Sequence, residues 1–509
     1  MISRVHSFVL QGIDATACEI EADLSTVGLP KTTIVGLPDA AVKESMERVR
    51  TALLNSGFRY PQSRITINLA PADVRKEGPV YDLPIAVALL LASSTIEPTN
   101  DNNRPHVHDF IIAGELALDG RIRPIKGTIS LALLAKEHRV RGVIVPLANA
   151  AEAAAVDGIE VLGVESLGQV VGMLNGNCTV EPHETIDIDS LIAETNASVD
   201  FVEVRGQEAA KRAITIAAAG GHNILMIGPA GTGKTMMAKA LCGVLPPLTR
   251  EEALEVTRIY SSAGQLKPGE PLMTRRPVRS PHHTASGPAI IGGGTIPRPG
   301  DVSLAHRGVL FLDEMPEFAR HVLETLRQPL EDGYVTVARA HGSVRFPARF
   351  MLVGALNPTP KGNMATDEIS QRQMEKYLSR ISAPLIDRID IHVEVPTVAY
   401  RQLTSKHDGS STASIRQIVL DVRKIQSARQ GDHRTNSELS GKLLDKYVSL
   451  DESAQTLLGQ AITELSLSAR AYDKIRRVSR TIADMEHSQT VQSQHIAEAV
   501  QYRLLDRML

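Results

Sequence analysis

Residues 228–235 read Gly228-Pro229-Ala230-Gly231-Thr232-Gly233-Lys234-Thr235, directly after the apolar run Asn223-Ile224-Leu225-Met226-Ile227 and ahead of a helix-forming stretch, Met236 to Leu241. A strand, a loop of the pattern G-x-x-x-x-G-K-[ST] and a helix in that order predict an α/β sheet domain with a polyphosphate held at the loop. The glycines let backbone N–H groups turn inward on the phosphates, and the helix N-terminus adds the positive end of its dipole. Lys234 would reach the β/γ-phosphates and the Thr235 hydroxyl would ligate Mg²⁺. The expectation is a chain that binds a nucleoside triphosphate, ATP, with Mg²⁺.

At 509 residues the chain has room for about three domains at ~100–200 residues each. Cys18, Cys178 and Cys242 stand far apart without metal-ligand spacing, so no zinc site is expected and a reducing, cytoplasmic setting is. The first residues carry charged and polar side chains where a signal peptide needs an apolar run. No stretch approaches the ~20 apolar residues that span a bilayer, so no membrane partner is expected. A net charge of −3 leaves room for a locally basic channel. The lack of tryptophan argues against a stacking platform for single strands.

Three segments separate by pattern. Residues 1–185 mix strand-like runs (Ile65 to Leu69, Phe110 to Ala113, Gly142 to Val145) with Ala/Leu-rich helices (Leu83 to Ala92, Ile129 to Lys136). An acidic, weakly apolar stretch begins near Glu181, and residues 186–200 are expected to form a linker. Residues 201–396 resume the strand-and-helix pattern around the phosphate loop. Residues 397–509 begin with a polar patch, Thr404 to Thr412, expected to be exposed and mobile, and continue as helices. In that last segment Ala471, Ile475, Val478, Ile482 and Met485 recur at the spacing of one buried helix face.

Two further strands bear on nucleotide chemistry. Gly308-Val309-Leu310-Phe311-Leu312 delivers Asp313 and Glu314 to the C-terminal edge of a parallel sheet, the edge where such sheets bind ligands. Asp313 would hold the Mg²⁺ shell, and Glu314 would polarise the attacking water. Met351 to Leu356 ends in Asn357, an amide able to orient that water without competing for its proton.

With these three strands the chain resembles the AAA+ ATPases and, within them, the magnesium-chelatase-like branch. Asp387-Arg388-Ile389-Asp390 is similar to the branch's arginine-finger region, and Ser468-Ala469-Arg470 to its second sensor. The resemblance implies that Arg388 reaches a neighbouring subunit's γ-phosphate, with Arg380 a rival, while Arg470 contacts nucleotide on its own subunit. Further motifs are Asn68-Leu69-Ala70-Pro71-Ala72, Tyr81-Asp82-Leu83-Pro84-Ile85-Ala86, Gly220-Gly221-His222-Asn223, Pro281-His282-His283-Thr284 and Leu304-Ala305-His306-Arg307-Gly308. They extend the resemblance over nearly the whole chain, to the YifB/ComM family. The family resemblance implies a homo-hexameric ATPase that drives DNA branch migration in natural transformation, with branched or duplex DNA in the ring pore and a helical lid over 397–509.

The first segment also resembles the Lon protease domain, a ribosomal-S5-like α+β fold, through Lys76-Glu77-Gly78-Pro79 and Pro124-Ile125-Lys126-Gly127. Val80 occupies the place of its nucleophilic serine and Ile129 that of its activating lysine, so no proteolysis is expected. Many YifB/ComM relatives carry cysteines after the strand-tip asparagine; here the residues are Asn357-Pro358-Thr359-Pro360-Lys361-Gly362, and thiolate ligation of zinc is impossible.

Between Lys234 and Asp313 the chain is longer than a compact crossover needs, and the resemblance makes the excess an insert directed at the pore. Tyr334 to Arg339 and Val344 to Phe346 read as a hairpin. Arg339, Arg345 and Lys361 are the candidate DNA-phosphate contacts. The rival readings are a chelatase-type ATPase that remodels a protein partner, which the long segment before the ATPase core disfavours, and a proteolytic assembly, which Val80 and Ile129 disfavour.

Overall fold

The computed structural model describes residues 2–27, 29–97, 104–192, 199–267, 269–294, 297–339, 342–357, 377–398, 410–431, 434–465 and 467–503. The chain divides into two compact units, Met1–Leu191 with Thr249–Thr274, and Ile192–Leu248 with Arg275–Leu509.

The first unit is built on a seven-stranded mixed sheet. Its spatial order is Lys31–Val35, Arg64–Ala70, Asp14–Ser25, Ile2–Gln11, Phe110–Ile112, Gly142–Pro146 and Glu160–Val164. The two longest strands form an antiparallel hairpin, and the last three strands pair in parallel. Alternation in the sequence becomes alternation in burial: Ile65, Ile67 and Leu69 face inward along Arg64–Ala70. The helix Asp82–Ala92 is apolar on every side and is buried on nearly every side.

Asp82 enters that core because its charge is paired. Arg48 donates to it through Nε at 2.8 Å and Nη2 at 3.1 Å, and the Leu116 N–H adds a third bond at 3.3 Å. Burial still pushes its carboxyl above the ordinary range.

The sequence placed residues 249–274 inside the ATPase segment; they belong to the first unit. Their helix, Arg250–Ala263, opens with a Thr249/Glu252 capping box and buries Ala253, Val256 and Ile259. Ser261 donates to buried Glu152 at 2.5 Å and accepts from the Gly127 N–H at 2.9 Å, while Arg258 and Arg250 pair with Asp14 and Asp157. Within the stretch expected to form a linker, residues 186–191 are part of the first unit. The His183 and Ile186 N–H groups bond to the carbonyls of Val161 and Ala154, and Ile188 is fully buried. Alternating isoleucines dock this stretch although its other residues are polar.

The second unit contains a five-stranded, all-parallel sheet ordered Val278–Arg279, Val309–Leu312, Met351–Leu356, Ile224–Ile227, Ile391–Glu394. The three middle strands are near-continuous apolar runs because both faces are covered. Helices Glu208–Gly220, Lys234–Leu241, Thr412–Gln430, Glu452–Glu464, Ala469–Met485 and Ser493–Gln501 belong to the same unit. Ile475, Val478 and Ile482 share one core with Ile224 and Met226. Tyr334–Arg339 and Gly342–Pro347 pair as an antiparallel hairpin, running from Tyr334↔Pro347 to Arg339↔Gly342. The patch Thr404 to Thr412 lies outside the described residues up to 409; Thr412 begins a helix capped by Ser411.

Candidate nucleotide site

The parallel sheet brings three sequence signals to one edge. The strand Ile224–Ile227 lies beside Met351–Leu356, which in turn lies beside Val309–Leu312. Their C-terminal ends carry the phosphate loop, Asn357, and Asp313 with Glu314.

The loop closes where a Cβ could not fit. One on Gly228 would sit 2.1 Å from the Val395 carbonyl oxygen, so the loop runs hard against the chain leaving the neighbouring strand. Gly233, at φ 91°, turns the chain into the helix Lys234–Leu241. Between them the Thr232 hydroxyl donates to the Pro229 carbonyl at 2.9 Å, and the Gln207 side chain donates to the carbonyls of Pro396 at 2.6 Å and Thr232 at 3.4 Å. Ala230 and Gly231 complete the loop, and a Cβ on Gly231 would meet open space.

Lys234 is largely buried, and its ammonium donates to the carbonyls of Gly228 at 2.7 Å and Pro229 at 2.8 Å and to Asn357 Oδ1 at 3.1 Å. Burial lowers its pKa, and the charges of Asp313 and Glu314 oppose that shift. Thr235 Oγ1 donates to Asp313 Oδ2 at 2.8 Å. Two hard oxygen donors therefore stand together at the loop, the donor set that suits Mg²⁺ shared with phosphate oxygens.

Glu314 follows with φ 49°, a left-handed conformation uncommon for a residue with a side chain. It is 52% exposed, and His283 Nδ1 lies 3.7 Å from its Oε2. The His283 ring in turn packs edge-on against Phe318. The approach of His283 to Glu314 joins residues 31 positions apart and has no local pattern in the sequence. Pro281-His282-His283-Thr284, following the edge strand Val278–Arg279, was the signal available for His283 alone.

The finger candidate Arg388 and the sensor candidate Arg470 come together at a different place. The Arg388 guanidinium is only 8% exposed; Nη1 donates to the Pro384 carbonyl at 2.5 Å and Nη2 to Glu331. Arg470, 59% exposed, donates to Asp387 at 3.3 Å and lies 3.7 Å from the same Glu331. Their guanidinium partners are thus Glu331, Asp387 and Pro384, not phosphate-loop residues. Arg380 is paired with Glu317 at 3.0 Å and sits over the Tyr377 ring.

Behind this cluster Asp390 accepts from Lys474 at 2.8 Å and from the Asn223 N–H at 3.0 Å. Asn223, the residue before the phosphate-loop strand, bonds Leu352 and the Arg388 carbonyl through its side chain. Neither Glu331 nor Lys474 carried a sequence signal, since both partners lie far off in the chain.

Of the candidate DNA contacts, Arg345 is exposed and its guanidinium lies 4.8 Å from the centre of the Tyr334 ring. Arg339 ends its hairpin strand opposite Gly342. Lys361 lies outside the described residues. In the first unit, Val80 is half-buried in a short turn, and Ile129 is fully buried with its N–H bonded to Glu152 at 2.8 Å. Among the described residues no group of three or more His, Cys, Asp or Glu side chains could hold a metal ion, and no helix is long and apolar enough to cross a membrane.

Residues 200–403 match the family model "Magnesium chelatase, subunit ChlI", residues 20–149 match "Subunit ChlI of Mg-chelatase", and residues 409–503 match "Magnesium chelatase, subunit ChlI C-terminal". The chain is 43% identical over 512 residues to the competence protein ComM of Haemophilus influenzae, covering 100% of this chain and 98% of that protein. It is 41% identical over 511 residues to the uncharacterized protein YifB of Escherichia coli, with the same coverage. A magnesium-chelatase 38 kDa subunit from Chlorobaculum parvum is 25% identical over 330 residues, 58% of this chain and 87% of that one. Full-length identity to ComM and YifB, with a phosphate loop and an acidic strand brought to one sheet edge, makes this chain a member of the YifB/ComM family of magnesium-chelatase-like proteins.

Proposed function

We propose that the protein is an ATP-driven DNA translocase that works as a hexameric ring and promotes branch migration of recombining strands during natural transformation. The observation that carries the nucleotide half is the Thr235–Asp313 contact at 2.8 Å beside Lys234. In this reading the loop 228–235 binds the triphosphate of ATP, Thr235 and Asp313 hold Mg²⁺, and Asn357 orients the attacking water. Glu314 accepts its proton, an exposed carboxylate being free to do so. Mg²⁺ bound there would neutralise charge on the phosphate oxygens. Arg388 serves a neighbouring subunit's γ-phosphate and Arg470 the nucleotide of its own subunit.

The DNA half is supported by the relative named as a competence protein and by the hairpin with Arg345. Six copies of Arg339, Arg345 and Lys361 around one axis would line a positive channel. The first unit acts as a contact domain of Lon-like descent without protease chemistry, the helices after residue 410 as a lid, and the protein works in the cytoplasm. Boundaries near 185, 200 and 396 separate these parts, with residues 249–274 reassigned to the first.

ATP hydrolysis measured with linear duplex, three-way and four-way junctions of equal length tests the reading. Junctions should stimulate more than duplex, and stimulation should fall steeply with salt, because each phosphate contact releases counterions with a slope of about 0.9 per contact on duplex DNA. Hydrolysis indifferent to every DNA would leave an ATPase that is not a DNA motor.

A further inference from the structure

Glu331 lies on the short helix Arg327–Asp332, and only Asp332 and Gly333 separate it from the hairpin strand Tyr334–Arg339. It is 46% exposed, yet it accepts from Arg388 and faces Arg470 at 3.7 Å. One carboxylate therefore holds both arginines assigned above to nucleotide. With Nη1 on Pro384 and Nη2 on Glu331, the Arg388 fork is committed within its own chain. An arginine that stabilises charge on a neighbour's phosphate has to present that fork outward.

The link from Glu331 to the hairpin is short and stiff. Gly333 turns the chain at φ 72°, and its carbonyl accepts from Ala348 at 2.9 Å, closing the base of the hairpin. Val335, Val337 and Phe346 are buried, so the base is anchored while Arg345 stays exposed. A force on the exposed side of a paired ribbon is carried to its base, where Glu331 begins.

We propose that Glu331 is a positioning residue that holds Arg388 and Arg470 in a retracted arrangement, and that DNA on the Tyr334–Pro347 hairpin draws it away. The proposal rests on the reading of Arg388 as a phosphate-contacting arginine and names the regulation of that same site. The retaining ion pair is partly exposed and hence weak, which suits a contact that must exchange for a phosphate.

The test compares ATP turnover of the full-length chain and its Glu331→Gln variant, each with and without duplex DNA. Turnover without DNA should rise about fivefold, the population change that loss of one partly exposed ion pair produces. Stimulation by DNA should shrink in proportion. Adding Arg388→Ala should abolish the gain. Turnover at or below wild type, or a gain that survives Arg388→Ala, overturns the proposal.

Glu331→Asp keeps the charge on a shorter arm and should fall between wild type and Glu331→Gln. Should the Gln variant prove unstable, the Asp variant decides alone, and no rise above wild type overturns the proposal. A wild-type chain that hydrolyses ATP but ignores DNA would sink the motor reading; the DNA-free comparison would still decide whether Glu331 restrains the arginines.

Discussion

Two pairs of carboxylates, one pair in each unit, are used in opposite ways. In the first, Asp82 and Glu152 are buried and consumed by structure. Asp82 takes two bonds from Arg48 and one from Leu116; Glu152 takes bonds from Ser261, Ile129 and Asn149. In the second, among the described residues Asp313 accepts from the Thr235 hydroxyl and the Glu314 N–H, and Glu314 stands half in solvent with His283 at a distance. Chemistry needs acceptor capacity that folding has left uncommitted. By that criterion the sheet edge of the second unit has the acceptor capacity that the proposed hydrolysis needs. Asp82 and Glu152 of the first unit are framework.

The strongest way to break this contrast is Glu314→Gln. Turnover should fall by about 10²–10⁴, the usual weight of a positioned general base, while ATP affinity stays near wild type because Lys234, Thr235 and Asp313 remain. Single-turnover hydrolysis and nucleotide titration separate the two effects. Wild-type turnover in this variant would remove Glu314 from the chemistry. Lys234→Ala should instead weaken binding itself.

A smaller effect, of the opposite kind, is expected in the first unit. Asp82→Ala leaves Arg48 and the Leu116 N–H without their acceptor, and should cost about 2–3 kcal/mol; the figure is below that of a fully buried pair because Arg48 is partly exposed. Thermal unfolding should shift down while ATP affinity below the transition does not change. Loss of nucleotide binding in folded protein would show that the first unit is more than a framework.

How far the sequence could be read follows the same division. The strands at Ile224–Ile227, Val309–Leu312 and Met351–Leu356 were legible because each is a short apolar run ending in a residue whose chemistry marks the ligand edge. The helix face of Ala471, Ile475, Val478 and Ile482 was legible from period alone. What stayed hidden depends on partners distant in sequence.

The helix Arg250–Ala263 looks like part of the ATPase segment until Ser261 finds Glu152 and Gly127. The Ile186–Ile188 stretch looks like linker because composition averages over the two side chains that dock. Glu331 looked like any exposed acid, since nothing local signals that Arg388 and Arg470 converge on it. Gly220-Gly221-His222-Asn223 is a motif whose reason lies in a distant helix. A Cβ on Gly220 would lie 2.1 Å from the His222 ring and 2.5 Å from Thr481 Oγ1, so the motif lets the end of one helix close on another.

The buried charges of the second unit sharpen the comparison through pH. His222 bonds Thr481 at 2.8 Å and faces Asp390 at 3.7 Å; His392 is buried beside Arg503 and Lys474. Burial lowers the pKa of both histidines. The unfolded chain therefore binds protons at these positions below about pH 6.5 that the folded chain refuses, and stability falls as pH drops through that value.

Asp390 extends the loss further. Burial works against the Lys474 ammonium, whereas the Asp390 carboxylate has Lys474, His222 and the Asn223 N–H to hold its charge, and its pKa lies well below the ordinary range. Its contribution is present above the unfolded value of about 3.9 and is lost as pH falls beneath it. Asp82 and Glu152, raised by burial, run the other way and favour the folded state as they protonate. Urea unfolding between pH 7 and pH 3 should show a decline of up to about 1.4 kcal/mol per pH unit for each histidine, beginning near pH 6.5 and steepening below about 4. Asp390→Asn should lower stability at neutral pH and flatten the steep limb. A stability that stays level from pH 7 to 5 would mean that the histidines are not held neutral in the folded state.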